Sequence, residues 1–302
     1  MDIVIGIDGG GTGHTMVAAD TNGTVLAEVK GGSFNLHTKS TEALGETLRT
    51  SLSEILEDGW NVVAVCLGSA GVDSPEDEVR GEKVLAEVFP SIDVTRRVLV
   101  SDVVTARRSG DESPFGMCLI SGTGSNAFGI AKNRTIRFTG GREWLLGDDG
   151  SGYWIGHMGL RAAVQSEDGR APSKVEELVK TRLGVKEMGE AIQTIYHGDF
   201  GKDKVAEFAQ DVDAAAKEGD AVAVAILTEA AMDLVLMITT LAKRLELEDG
   251  CGLVLIGSVI QKSETVKGVF YKEMAAQLPN IKLIVPTDSP AVGAVKIAID
   301  TL

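Results

Sequence analysis

Residues 3–20 read IVIGIDGGGTGHTMVAAD, and how that stretch is read decides the fold. An apolar run ends on a carboxylate, Asp8. Three glycines, Gly9, Gly10 and Gly11, and then Thr12 lead into a second β-friendly run. A P-loop needs a lysine after its glycines, and none follows here. A dinucleotide fingerprint needs a helix next, and the residues that follow favour a strand. A nucleophile elbow needs G-x-S-x-G, which is absent. What remains is a β-hairpin whose tip is nearly bare backbone. Without a Cβ the chain can take positive φ, and successive N–H groups can converge on an anion.

Residues 116–133, GMCLISGTGSNAFGIAKN, repeat the design around Gly122, Thr123, Gly124 and Ser125. One such turn alone would read as a tight hairpin. A matching pair, each after a buried strand, points to a polyphosphate, with the hydroxyls of Thr12 and Thr123 as added donors.

The flanking sequence carries the same duplication. Residues 3–8, 15–19 and 25–29 read as strands, with Asn22-Gly23 as a hairpin signal. Ala43, Leu44, Leu48, Leu52, Ile55 and Leu56 recur at helical spacing, with Thr41 as the expected N-cap. Residues 61–67 form a buried strand. Residues 76–89 form a helix facing inward through Val79, Val84, Leu85 and Val88, and a short strand, 98–100, runs into Asp102. After a polar loop, 109–114, strands are expected at 117–121, 127–131 and 136–139, then helices from 150 to 246. A strand at 252–256, a helix from Glu264, a strand at 281–285 and a helix from Pro290 follow. Two β-β-β-α copies about 115 residues apart indicate a duplicated α/β fold.

Carboxylates stand at the expected strand ends: Asp8, Asp102, and Asp148-Asp149 in LLGDDGSGYWIG. Beside a phosphate site a carboxylate can hold Mg²⁺ or accept a proton from an attacking hydroxyl. Helix capping competes with that reading for Asp148 and Asp149, which precede a helix. It competes poorly for Asp8, at the end of an apolar strand.

The bulk composition narrows the classes. The chain has 302 residues, 44% hydrophobic, so two domains with sizeable cores are expected. A net charge of −15 argues against nucleic acid or an anionic membrane as the main partner. Cys66, Cys118 and Cys251 lie apart in apolar runs, which reads as buried thiols in strands. The apolar stretch 221–242 is interrupted by Glu229 and Asp233 on one face, so a core helix is expected rather than a membrane span. Met1-Asp2 leads directly into a strand, so no signal peptide and a cytoplasmic location are expected. His14, His37, His157 and His197 show no paired zinc spacing. His157 is expected to pack within its helix, and His14 and His37 lie near the candidate site residues.

Together GIDGGGT, LISGTGSN, LGDDGSGYWIG, LIGSVI and SPAVGA resemble, in order, the motifs of one family. It is the N-acetylglucosamine kinase branch of the BadF/BadG/BcrA/BcrD ATPase group, within the actin, hexokinase and Hsp70 superfamily. The resemblance covers nearly the whole chain. It implies two RNase H-like (actin/hexokinase-type) domains around a central nucleotide and sugar cleft. The domains would be 1–112 with 290–302, and 113–289 with inserted helices. It implies an ATP- and Mg²⁺-dependent hexosamine kinase acting on a 6-hydroxyl, with N-acetylglucosamine first and glucosamine, N-acetylmuramate or a plain hexose as alternatives.

Asp102 then matches the general base, and Asp8 would hold Mg²⁺, directly or through water. Gly9, Gly10, Gly11, Thr12, Gly122, Thr123, Gly124, Ala206, Gly257 and Ser258 match ATP or phosphate contacts. Asn35, Asp102, Ser125, Asn126 and Asp148 match sugar contacts. Relatives usually carry Gly-Gly-Trp-Gly where this chain has Gly140-Gly141-Arg142-Glu143. Arg142 and Glu143 would therefore form an ion pair or a charged recognition element for the sugar. The resemblance also implies a homodimer. Two other classes fit the same family: an ATPase that activates a partner enzyme through an iron–sulfur cluster, and a non-catalytic sugar-binding regulator. The first needs accessible cysteines; the second would be expected to lose the base or a phosphate turn.

Overall fold

The computed structural model describes residues 1–302 apart from Gly11, Thr12, Asp73 and Asp199. The expected phosphate contacts Gly11 and Thr12 therefore lie outside the described residues. The chain divides into two compact units, Met1–Ser113 with Pro286–Leu302, and Pro114–Val285.

Unit 1 begins with the strands β1 (Asp2–Gly9), β2 (His14–Asp20) and β3 (Val25–Gly31), then helix α1 (Thr41–Ile55). Strand β4 (Asn61–Ser69), helix α2 (Pro75–Val88), strand β5 (Arg97–Ser101) and helix α3 (Asp102–Gly110) follow. The sheet order is β3-β2-β1-β4-β5. The first three strands pair antiparallel, and β1, β4 and β5 run parallel. Parallel strands need a crossover, and α1 and α2 supply the two.

Unit 2 repeats the plan with β6 (Gly116–Ser121), β7 (Ser125–Ile130), β8 (Ile136–Thr139), β9 (Gly252–Ile256) and β10 (Lys282–Ile284), in the order β10-β9-β6-β7-β8. Between β8 and β9 lie helices α4 (Glu143–Leu146), α5 (Gly152–Glu167), α6 (Val175–Leu183), α7 (Ala191–His197), α8 (Lys202–Glu207), α9 (Ala209–Lys217) and α10 (Ala221–Leu245). Helices α11 (Ser258–Lys262) and α12 (Glu264–Gln277) separate β9 from β10. Helix α13 (Pro290–Ile299) returns to unit 1.

Helix α10 is long and apolar enough to cross a membrane. Its Ile226, Ala230, Leu234, Ile238 and Leu241 are buried in the core of unit 2, as expected of a core helix. Unit 1 has a core on each face of its sheet. On one face Leu44, Leu48, Leu85 and Phe89 pack on Ile3, Ile5 and Leu67. On the other, Ala291, Ala294, Val295 and Ala298 of α13 pack on Val4, Val17, Ala64 and Cys66. Gly6 allows that approach: a Cβ there would stand 2.3 Å from the Ala291 carbonyl oxygen. Arg108 of α3 also pairs with Asp300 just beyond α13, at 2.9 Å.

Several expectations are corrected. Ser40, not Thr41, caps α1, its hydroxyl accepting from the Ala43 N–H. Val79 faces solvent, because α2 meets the sheet through Gly81, Val84, Leu85 and Val88. Asp102, expected at the end of a strand, follows β5 and opens α3, a helix hidden in the sequence by its polar Arg107, Arg108 and Ser109. Cys66 and Cys118 are buried in β4 and β6, whereas Cys251 is half-buried just ahead of β9. His157 is exposed on α5, its ring stacked on Tyr153 at 6.0 Å. The strand expected at 281–285 is shorter, Lys282–Ile284.

Candidate active site

In unit 1 the candidate residues gather at the C-terminal ends of the parallel strands. Gly9 stands opposite Ser69, and Ser69 opposite Ser101. Asp8, next to last in β1, therefore lies at the same end of the sheet where Asp102 follows β5. That end is where open α/β sheets bind ligands. The Gly10 N–H donates to the Gly13 carbonyl at 2.9 Å and closes the turn. Gly9 is required by packing, since a Cβ would meet Phe34 at 2.7 Å.

Asp102 is the first residue of α3, where the positive end of the helix dipole favours a carboxylate. The Ser101 hydroxyl donates to it at 3.2 Å. Burial, and secondarily the charge of Asp102, push the Asp8 carboxyl up to about 6. A buried carboxylate ahead of a glycine turn, with a second one near enough to repel it, suits a divalent cation, which would relieve both effects. The described residues hold no cluster of three or more metal-ligating side chains. A Mg²⁺ ion usually needs only one or two carboxylates, its remaining ligands being water and phosphate, so the residues fit that ion.

Asn35 lies in the loop after β3, where its side-chain oxygen accepts from the His37 N–H at 2.8 Å. Arg80 of α2 fastens this loop by donating to the carbonyls of Leu36 and Lys39 and to the Thr41 hydroxyl. His14 is structural. Its ring bonds the Gly32 carbonyl and the Ser51 hydroxyl, each at 2.8 Å, in a buried setting.

Unit 2 presents its glycine turn differently. The Gly122 N–H donates to the Gly124 carbonyl at 2.9 Å, while the Gly122 carbonyl accepts from the Gly152 N–H at the start of α5. Gly257, at φ 105°, lets the end of β9 press on the same turn: a Cβ would meet the Ser121 carbonyl at 2.3 Å. One side of the turn opens on a cavity of about 540 Å³, within the usual range for small-molecule sites. Gly122, Thr123, Ala206 and Ser258 line it, as do Lys217 and Lys262.

The other side of the turn faces Asp148. The Ser125 N–H donates to Asp148 Oδ1 at 3.0 Å, and Lys202 Nζ stands 2.7 Å from Oδ2. Capping is not what Asp148 does, because Ser151 caps α5. Asn126 Oδ1, beside Gly141, is buried without a hydrogen-bond partner, an acceptor available to a ligand.

Residues 140–143, 148 and 150 all have φ between 62° and 76°, so this loop is held in a conformation that L side chains rarely take. Glu143 is ion-paired with Lys202 at 3.2 Å rather than with Arg142, and both loop residues are exposed. Lys202 has no motif to announce it, as it is 59 residues from Glu143 in the chain. Gln210, Asp213, Lys217 and Lys262, which also line the cavity, were equally silent in the sequence.

A sheet order used twice, with a glycine turn after the first strand of each copy, defines an α/β fold of the actin and hexokinase type. The BadF/BadG/BcrA/BcrD ATPase family model matches residues 5–298, and the chain belongs to that family. It is 31% identical to the N-acetylmuramic acid/N-acetylglucosamine kinase of Clostridium acetobutylicum, over 99% of this chain and 98% of that one. It is 29% identical to the N-acetyl-D-glucosamine kinase of Dictyostelium discoideum, again over 99% and 98%. Among solved structures, the fold matches a Chromobacterium violaceum protein with a TM-score of 0.72 at 22% identity, covering 98% of both chains. It also matches a ROK family glucokinase from Streptomyces griseus bound to glucose and AMPPNP, with a TM-score of 0.55 at 20% identity, over 99% and 98%.

Proposed function

We propose that this chain is an ATP-dependent amino-sugar kinase that phosphorylates a 6-hydroxyl, with N-acetylglucosamine as its first substrate. The observation that carries the reading is the wall of the unit 2 cavity: the glycine turn at Gly122 and Thr123 lines it, backed by Gly257. ATP would occupy that cavity, its base end near Ala206 and Ser258 and its phosphates on the turn. Gly9–Thr12 of unit 1 would contribute the second phosphate turn. Asp102 would accept the proton of the attacking hydroxyl from the first position of α3, where the helix dipole favours a carboxylate. Mg²⁺, held near Asp8, would neutralise phosphate charge. Asn35, Ser125, Asn126 and Asp148 would orient the sugar through hydrogen bonds. The names of the relatives at 31% and 29% identity support this substrate class.

One observation favours a second substrate. Arg142 is exposed on the strained loop, and its neighbour Glu143 is already engaged by Lys202. A guanidinium there could grip the carboxylate that N-acetylmuramate has and N-acetylglucosamine lacks. The relative at 31% identity is named for both sugars. An iron–sulfur activator is not supported: Cys66 and Cys118 are buried, and burial pushes the Cys66 thiol up, away from the thiolate a cluster requires. The proposal also takes the protein to be a cytoplasmic homodimer. The deciding experiment is ADP release with Mg-ATP across a panel of hexoses and hexosamines. Release above the no-sugar background with N-acetylglucosamine is expected; no response to any sugar overturns the kinase reading.

A further inference from the structure

Lys202 is a largely buried cation beside the proposed sugar contact Asp148. It opens α8, and its side chain is only 25% exposed. Its Nζ lies 2.7 Å from Asp148, whose side chain is 5% exposed, and 3.2 Å from Glu143, whose side chain is 80% exposed. An ordinary surface ion pair contributes little. This one is set apart by what surrounds it.

First, its position is fixed by backbone packing. A Cβ on Gly156 of α5 would stand 2.0 Å from the Val205 carbonyl oxygen, so α8 sits directly on the α5 backbone. Second, the pair fills the space beside the glycine turn. A Cβ on Gly124 would meet Asp148 Oδ1 and Oδ2 at 2.9 and 3.1 Å and Lys202 Nζ at 3.1 Å. Gly124 thus makes room for an acid–base pair, whatever it also offers a phosphate. Third, Asp148 sits at φ 62°, a strained backbone for a non-glycine residue. Its carboxylate is held from two sides, by the Ser125 N–H and by Lys202. Fourth, the next residues of α8, Asp203, Ala206 and Glu207, line the cavity. One short helix therefore touches the cavity through one set of side chains and Asp148 through another.

We infer that Lys202 is a positioning residue for the sugar: it fixes the Asp148 carboxylate as a hydrogen-bond acceptor for sugar hydroxyls. This inference rests on the amino-sugar kinase reading. Lys202 itself transfers nothing and acts through Asp148. Burial lowers the Lys202 pKa, but its contacts with Asp148 and Glu143 outweigh burial and hold it above its ordinary value. Without the cation, Asp148 would keep one of its two restraints, and its oxygens would lose their fixed direction. The ground-state grip on the sugar should suffer more than the grip on nucleotide.

The test uses the full chain with N-acetylglucosamine and Mg-ATP. K202M removes the cation, K202Q keeps length and a donor, and K202R restores the charge. The sugar KM is expected to rise about tenfold in K202M and K202Q while the ATP KM changes less than about threefold, the split expected of a residue that serves sugar binding. K202R should return the sugar KM to within about threefold of wild type, and K202M on a D148N background should add less than about threefold, the non-additivity of residues that act as one unit. A sugar KM in both K202M and K202Q less than about fivefold above wild type overturns the inference and leaves the kinase reading intact. An ATP KM that rises as much as the sugar KM also overturns it, and makes Lys202 a phosphate contact. No turnover of any panel sugar by the wild type fells the kinase reading, and this inference with it. Melting curves of the variants separate loss of fold from loss of grip; should K202M melt early, K202Q carries the comparison.

Discussion

Asp8 is held at a cost that can be measured. Its carboxyl is raised from 3.8 to about 6, mainly by burial at the end of β1 and further by the charge of Asp102. A group whose folded value lies above its unfolded value favours the protonated folded state. The ionised form therefore destabilises the fold above the folded value, and the penalty disappears as pH falls to the unfolded value. A shift of roughly two units corresponds to about 3 kcal/mol at pH 7 and above, and partial solvent access to the side chain brings the expectation nearer ~2 kcal/mol. D8N, which keeps shape and removes charge, should stabilise the protein by that amount at pH 8. The midpoint of thermal unfolding should rise by about 3 °C if the whole chain unfolds cooperatively. The gain should be full above pH 6, shrink between pH 6 and pH 4, and vanish below. Scanning fluorimetry or circular dichroism at pH 8, 6 and 4.5 reads it directly, while the same substitution should impair nucleotide-dependent turnover. A D8N protein less stable than wild type at pH 8, or equally stabilised at pH 8 and 4.5, refutes the argument that charge burial is the source of the cost.

Three further outcomes are expected. D102N should lower kcat by about 10²–10⁴-fold with sugar affinity nearly unchanged, measured by ADP release and calorimetric titration. A near-normal rate would move the proton acceptor elsewhere. G6A should destabilise unit 1 by at least ~3 kcal/mol, because the new methyl would overlap the Ala291 carbonyl and the Val295 N–H and force α13 off the sheet; a chemical denaturation midpoint within error of wild type would show that the strand–helix approach is softer than it looks. R142A should reduce kcat/KM for N-acetylmuramate more than about tenfold while leaving N-acetylglucosamine within about twofold. Equal effects on the two sugars would remove Arg142 from substrate choice.

The duplicated sheet was legible because each copy carries period-2 and buried-strand signals punctuated by glycine, the strongest local marks a sequence bears. Helix α3 was not legible: its inward residues Val103, Thr105, Ala106 and Ser109 are small or polar, so no apolar stripe shows. The carboxylates were found as strand-end acids, yet the helix that Asp102 opens did not show. Asp148 could be singled out from its motif, while its real partners could not. Ser125 lies across the sheet end and Lys202 on a distant short helix, and no spacing rule links them. Arg142 and Glu143 read as a natural ion pair because they are adjacent in sequence. In the fold both are left-handed, and Lys202 takes the glutamate.

The return of α13 to unit 1 has a bearing on how the chain comes to be folded at all. As residues emerge from the ribosome, β1, β2 and β4 are available early, but the face they present through Val4, Val17, Ala64 and Cys66 receives its Ala291, Ala294, Val295 and Ala298 packing only when α13 is made. Every residue of unit 2 must be synthesised in between, and unit 2, being one continuous segment, can close its own core first. The N-terminal sheet must therefore wait with an apolar face open, which is the interval when a chaperone would be most useful. For the same reason, cleavage ahead of Pro290 would take α13 from that face while leaving the core of unit 2 whole.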